Sequence, residues 1–235
     1  MNNSFDFFEK IFCINLEERV DRWDKCQQKF TALGILDKVE RFRAVQISTT
    51  DHFQAKMAGR AGCALSHASI LDIAIKENLS NYLVLEDDFD LSPTSEECSS
   101  ILSSSTVELP KDWDLFYLGG NLNRDYGVFP LEKYSENLFR LRSCHTTHSF
   151  AVNSSFYSEF KKQLPTAGNV IEWLNTHQAI DVHLSKEILP HNNAFIPTTM
   201  LFVQQADFSD IEDNYYDYVS WMENNFNNFK TSLLP

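Results

Sequence analysis

At 235 residues, 43% hydrophobic and 23% charged, the chain has the length and composition of an ordinary globular protein of one large domain or two small ones. Its net charge of −13 argues against a general nucleic-acid or anionic-membrane surface, both of which need a positive field, so any phosphate ligand must be held by local groups or a metal. The five cysteines are scattered without CxxC spacing, and no signal-peptide pattern or membrane-spanning apolar stretch is found, so the expectation is a reduced, cytoplasmic protein with neither a disulfide scaffold nor a membrane span.

Residues 10–16 (KIFCINL) form a short apolar run that reads as the first core strand. From Glu17 the pattern changes: Val20, Trp23, Gln27, Phe30 and Leu33 recur every three or four residues, an apolar helical stripe that Gly34 can end. Strand followed by helix is how a nucleotide-binding half-domain opens, and it puts Asn15, Arg19 and Arg22 at the sheet's carboxyl edge. The alternative is that Arg19 and Arg22 are solvated helix residues paired with Glu18 and Asp21. Residues 39–45 suggest a second strand with Phe42, Ala44 and Val45 buried, and residues 46–59 a polar loop. Residues 60–67 then lead into a helix with Leu65, Ala68, Leu71 and Ile75 along one side. Ser66 and His67 fall near its first turn, where free N–H groups favour anions, although a lone histidine there is more often a hydrogen-bonded structural residue than a catalyst.

Residues 82–90 (YLVLEDDFD) are the most informative stretch. The apolar run has the content of a strand buried on both faces, and such a strand cannot hold unpaired carboxylates, so Glu86, Asp87 and Asp88 should emerge at its carboxyl end. That edge is where open α/β sheets bind ligands. Glu86 and Asp88, two apart, point the same way and suit a hard divalent cation shared with phosphate oxygens, while Asp87 faces elsewhere. The plainer alternative has Asp90 or Ser92 capping a helix that starts at Pro93, the other acids being solvated.

Residues 94–105 suggest a weak helix or surface loop, and residues 113–120 another central strand whose Gly119 and Gly120 allow close backbone approach. An exposed insertion is expected over residues 121–137, then strands at 138–142 and 148–152 around a turn at 144–147. Residues 154–164 read as a helix burying Phe156, Tyr157 and Phe160. Another begins near residue 179, where Asp181 is either a capping acid or a catalytic carboxylate. Residues 194–203 are strand-like, followed by Gln204 and Gln205 and then Ser209 and Asp210. Residues 215–230 carry Tyr215, Tyr218, Val219, Met222 and Phe226 at helical spacing.

Three blocks, residues 14–22 (INLEERVDR), 62–67 (GCALSH) and 85–88 (LEDD), resemble in sequence and order those of glycosyltransferase family 25, which includes bacterial lipooligosaccharide sugar transferases and collagen galactosyltransferases. Weaker echoes lie at residues 148–152, Asp181 and residues 205–211. The resemblance implies an α/β fold of GT-A type, with a Rossmann-like mixed sheet flanked by helices, in a single domain spanning residues 1–235. Residues 10–120 would bind the nucleotide sugar, residues 121–211 the acceptor, and residues 212–235 form a closing amphipathic helix.

It further implies transfer, with inversion, of a hexose, galactose or glucose, from a UDP-sugar donor to a hydroxyl of a glycan, lipooligosaccharide or hydroxylated protein acceptor. Mn²⁺, with Mg²⁺ as the alternative, would be bound through the acids. By that analogy Asp88 is the metal ligand, and Glu86 shares the ion or holds the ribose hydroxyls. Asp87 orients backbone or donor sugar; Asn15, Arg19 and Arg22 surround the base or phosphates; Ser66 and His67 line the donor pocket. Asp181 is the candidate general base, with a helix cap as its equal alternative. The chain resembles compact bacterial or viral members more than the larger collagen-modifying ones. Two rival readings remain: a noncatalytic nucleotide-sugar or carbohydrate binding protein, against which the intact acidic motif argues, and a haloacid-dehalogenase-like phosphatase, whose nucleophilic Asp is here Asn15.

Overall fold

The computed structural model describes residues 3–48, 52–92, 95–123, 127–209 and 214–233. In chain order the elements are β1 (Lys10–Asn15), α1 (Val20–Ala32), β2 (Val39–Arg43), α2 (His52–Glu77), β3 (Asn81–Glu86), β4 (Phe89–Leu91), α3 (Ser95–Glu108), β5 (Leu115–Tyr117), β6 (Leu131–Lys133), β7 (Leu138–Leu141), β8 (Ser149–Asn153), α4 (Tyr157–Gln163), α5 (Val170–His177), α6 (Ile180–His183), β9 (Ala194–Pro197), β10 (Phe202–Gln204), β11 (Asp207–Ser209), β12 (Asn214–Tyr216) and α7 (Tyr218–Thr231). Eight strands make one mixed sheet in the order β2-β1-β3-β8-β5-β9-β7-β6, the α/β architecture expected, with helices on both faces. Strands β2, β1 and β3 run parallel, and β8 enters antiparallel between β3 and β5.

The central strands read as unbroken apolar runs because both faces are covered. On β3, Tyr82 and Val84 join one core while Leu83 and Leu85 join the other; on β1, Phe12 and Ile14 divide from Ile11 and Cys13 in the same way. All eight are nearly or fully buried, and each such side chain contributes roughly 1.5–3 kcal/mol on transfer from water. Polar residues are thereby forced to the strand ends.

Several expectations are corrected. The expected loop at 46–59 gives way at residue 52 to the 26-residue helix α2, so Ser66 and His67 lie in mid-helix, where backbone N–H groups are already used, and not at a first turn. Two glycines hid this start, since each lowers helix propensity by about 1 kcal/mol. Gly62 is needed there for packing: a Cβ on it would lie 2.3 Å from the Val45 carbonyl oxygen. The stripe on α1 is rotated, with Arg22, Cys26 and Phe30 buried and Val20 53% exposed. Strand β2 is an edge strand, and Phe42, Ala44 and Val45 are only half-buried.

The segment 121–137 is no exposed insertion, because Asn121, Leu122 and Leu131 are buried and β6 lies within it. β7 and β8 do not pair around a turn; β9 and β5 separate them. The run at 194–203 splits into β9 and β10, and Tyr215 belongs to β12, so the last helix starts at Tyr218. Helix α3 is regular over 14 residues, and α5 was not anticipated. Pro93, Asp210 and Ile211 lie outside the described residues. Among the described residues no helix is long and apolar enough to cross a membrane.

Candidate active site

Glu86 ends β3, and Asp87 and Asp88 follow in the turn to β4. Each acid is held by a different part of the chain. Asp87 is 8% exposed; it pairs with Arg22 Nη1 at 3.0 Å and accepts from Asn15 Nδ2 at 2.6 Å. The thiol of Cys26 donates to its backbone carbonyl at 3.3 Å. Asn15 in turn accepts from Arg41 Nε at 2.8 Å, so β1, β2, α1 and the β3 turn are tied through one carboxamide. Burial pushes the Asp87 carboxyl above its ordinary range despite Arg22 and Asn15.

Glu86 turns toward α2 and the segment before β8. It lies 3.2 Å from His67 Nε2 and accepts from the Thr147 hydroxyl at 2.5 Å. Burial pushes its carboxyl up, but those two partners outweigh burial and leave it below the ordinary carboxylate range. The His67 ring is fixed by stacking on Phe150, centroids 5.4 Å apart.

Asp88 faces the pair β4–β10. Gln204 Nε2 donates to its Oδ2 at 2.6 Å and the Gln205 N–H to its backbone carbonyl at 2.7 Å, a register set by Gln204 opposite Phe89. Its Oδ1 is buried without a hydrogen-bond partner. Burial, with the charges of Glu86 and Asp87, raises its carboxyl to about 7. A buried carboxylate oxygen with no donor, beside two other acids, is a site that a cation would satisfy.

Asn15, Arg22, Ser66, Glu86, Asp87 and Asp88 all line one cavity of about 500 Å³, together with Cys63, Gln204, Gln205 and Tyr218. His67 stands behind it, against Glu86. Ser66 accepts from the Val45 N–H at 2.8 Å and donates to the Gly62 carbonyl at 2.7 Å, which holds the 44–48 segment against α2. Arg19 does not line the cavity; its guanidinium grips Asp21 through two 3.0 Å contacts. Asp181 lines a second cavity of about 520 Å³, whose wall includes Tyr218, a residue common to both. It accepts from the Thr146 N–H at 3.3 Å and the Val182 N–H at 2.9 Å, with His145 Nδ1 3.9 Å away. It lies within the first turn of α6, whose N-cap is Ala179.

Sequence reasoning did not single out Cys63, Thr147, Gln204 or Arg41 as site residues. The signals available were the Gln204-Gln205 pair after an apolar run and the place of Cys63 in the 62–67 block; Thr147 and Arg41 act through tertiary placement. Among the described residues, Cys63, His67 and Glu86 form a group whose ligating atoms lie within 4.8 Å of one another. Burial, then the Glu86 charge, pushes the Cys63 thiol well up, so it is neutral at ordinary pH.

A family profile described as "Glycosyltransferase family 25 (LPS biosynthesis protein)" matches residues 8–180. A Drosophila melanogaster protein named "Glycosyltransferase 25 family member" is 28% identical over 164 residues, covering 62% of this chain and 26% of its own. Human "Procollagen galactosyltransferase 2" is 26% identical over 129 residues, 48% of this chain and 21% of its own. The chain thus spans about a quarter or less of the length of these curated relatives. The solved structure of a glycosyltransferase involved in the glycosylation of the major capsid of PBCV-1 aligns over 91% of this chain and 98% of its own, at 14% identity and a TM-score of 0.48.

Proposed function

The chain belongs to glycosyltransferase family 25, and on that premise we propose that it is an inverting, metal-dependent transferase of GT-A type. It moves a hexose, galactose or glucose, from a UDP-sugar to a hydroxyl of a glycan, lipooligosaccharide or hydroxylysine-type acceptor. The observation that carries this reading is the buried, unpartnered Asp88 Oδ1 beside Glu86, facing a cavity of about 500 Å³ at the carboxyl end of β3. That environment fits a hard divalent cation, Mn²⁺ or Mg²⁺, held by Asp88 and Glu86. When bound, the ion supplies neutralisation of the charge that develops on the leaving diphosphate.

The chain's own groups do the rest. Arg22 and Asn15 are engaged with Asp87, so they act by holding the β3 turn and presenting Asp88 to the cavity, more than by direct reach to a nucleotide. Thr147 and His67 orient Glu86. Ser66 keeps residues 44–48 folded over the cavity as its nucleotide-side wall. Inversion requires a base on the acceptor hydroxyl, and Asp181, in the adjoining cavity, takes that proton. Its two backbone donors hold the carboxylate in one orientation. Residues 10–120 serve the donor and residues 121–211 the acceptor.

The test is release of UDP from a panel of UDP-sugars with and without Mn²⁺. Metal-dependent turnover or binding of at least one donor is expected; none with any donor sinks the reading. Asp181→Asn should bind donor and metal normally but lose transfer, and full transfer would remove it as the base.

A further inference from the structure

The second cavity has a lining of its own. Trp221 stands on its wall 46% exposed, whereas its neighbour Met222 and Phe226 one turn on are buried in the core. A large apolar ring left half in water at a cavity mouth is a surface that burial has not used. Tyr218 lies one turn before it, ring centroids 6.4 Å apart and tilted by 39°, so two aromatic faces border the same space. Asp217, the residue before Tyr218, shares the lining with Asp181, His145, Thr146, Asn121 and Asn123. Asn121 is 5% exposed, and its carboxamide oxygen is buried without a hydrogen-bond partner. Its backbone is rigid, exchanging hydrogen bonds of 3.0 and 2.8 Å with His145. Among the described residues no lysine or arginine lines the cavity.

Two aromatic rings bordering carboxylates and carboxamides, with no lysine or arginine among the described lining residues, match one ligand chemistry. A pyranose presents an apolar C–H face to the ring and a rim of hydroxyls that donate to the carboxylates and to the orphaned Asn121 oxygen. A ligand bearing its own carboxylate, sulfate or phosphate would meet Asp181 and Asp217 with no lysine or arginine in the described lining to offset them. Tyr218 also walls the first cavity, which sets a sugar held here next to whatever fills that one.

We propose that this cavity is the acceptor subsite, taking a neutral hexopyranoside stacked on Trp221. This rests on the transferase reading above and narrows its acceptor to an uncharged sugar.

The experiment is saturation-transfer NMR on the full chain with methyl glucosides, galactosides and mannosides, and methyl glucuronide as the anionic control, alongside titration with UDP and Mn²⁺. At least one neutral glycoside should bind and the glucuronide should not. Trp221→Ala should weaken the neutral glycoside about tenfold, Trp221→Tyr should restore most of it, and neither should change UDP affinity. Equal binding of the glucuronide, an unchanged glycoside affinity in Trp221→Ala, or no neutral glycoside binding while UDP binds would each overturn the subsite. Glycoside binding that depends on Trp221 without any UDP binding would leave the sugar site standing and remove the transferase reading instead. Because Trp221 is half-exposed, its variants should fold as the parent does, and Trp221→Tyr keeps the test valid if the alanine variant does not.

Discussion

Replacing Arg22 by Met tests the arrangement behind the acids. The Arg22 and Asp87 side chains are 9% and 10% exposed and 3.0 Å apart, so the pair is buried. Met fills much of the same volume, and what is lost is the charge and its hydrogen bonds. Asp87 would keep only the neutral Asn15 donor at 2.6 Å to offset a desolvation that already raises its carboxyl. Breaking a buried pair from one side costs about 3–5 kcal/mol, most of it the stranded charge. For a chain of this size that is a fall in Tm of about 6–20 °C. Urea unfolding and calorimetry without ligand would measure it, and the Arg22→Met/Asp87→Asn double variant should recover much of the loss. A loss below about 1 kcal/mol, the range of an exposed pair, would refute the account of Arg22 as the anchor of the β3 turn.

Asp88→Asn should abolish metal-dependent UDP release while leaving Tm unchanged or slightly higher, because it relieves crowding among three carboxylates; a large fall in Tm would instead make Asp88 structural. Gly119→Ala should destabilise by more than about 3 kcal/mol, since its Cβ would lie 1.8 Å from the Phe202 carbonyl oxygen, and backbone must move; near-native urea stability would contradict that contact. His183 is 2% exposed, its ring nitrogens lack partners, and burial, with His177 beside it, lowers its pKa to about 4. The unfolded chain therefore binds the extra proton first, and stability present above pH 6.5 is lost as pH falls toward 4, by at most about 3 kcal/mol from this group. His183→Leu should flatten that acid limb in a Tm-against-pH series, and an unchanged slope would refute the assignment.

Much of the site's frame was legible because burial on two faces leaves a clear mark. β1 and β3 stood out as continuous apolar runs, and the exclusion of carboxylates from such strands located the acids at the carboxyl edge. Gly119 and Gly120 were likewise readable as points of close approach, and the structure sets them against Phe202 and Cys144. Other features left no local mark. The first turns of α2 were hidden by two glycines, and the reason for one of them, the contact of Gly62 with the Val45 backbone, lies outside the helix. β7 and β8 looked like a hairpin because nearness in sequence is the only guide available, yet other strands separate them. The different partners of the three acids follow from which elements meet at the sheet edge, which a single strand's pattern cannot carry.

The antiparallel entry of β8 beside β3 also bears on when the site comes into being as the chain folds. Asn15 meets Asp87 across 72 residues and Thr147 meets Glu86 across 61, whereas Gln204 must reach Asp88 across 116. Contacts of such separation are slow to form, because loop closure must precede them. With only the parallel strands in place, Asp87 would be held against Arg22 and Glu86 against His67, while Glu86 still lacked Thr147 and Asp88 lacked Gln204. The Asp88 end of the acidic edge thus closes the longest loop of the three and waits on the pairing of β10 with β4.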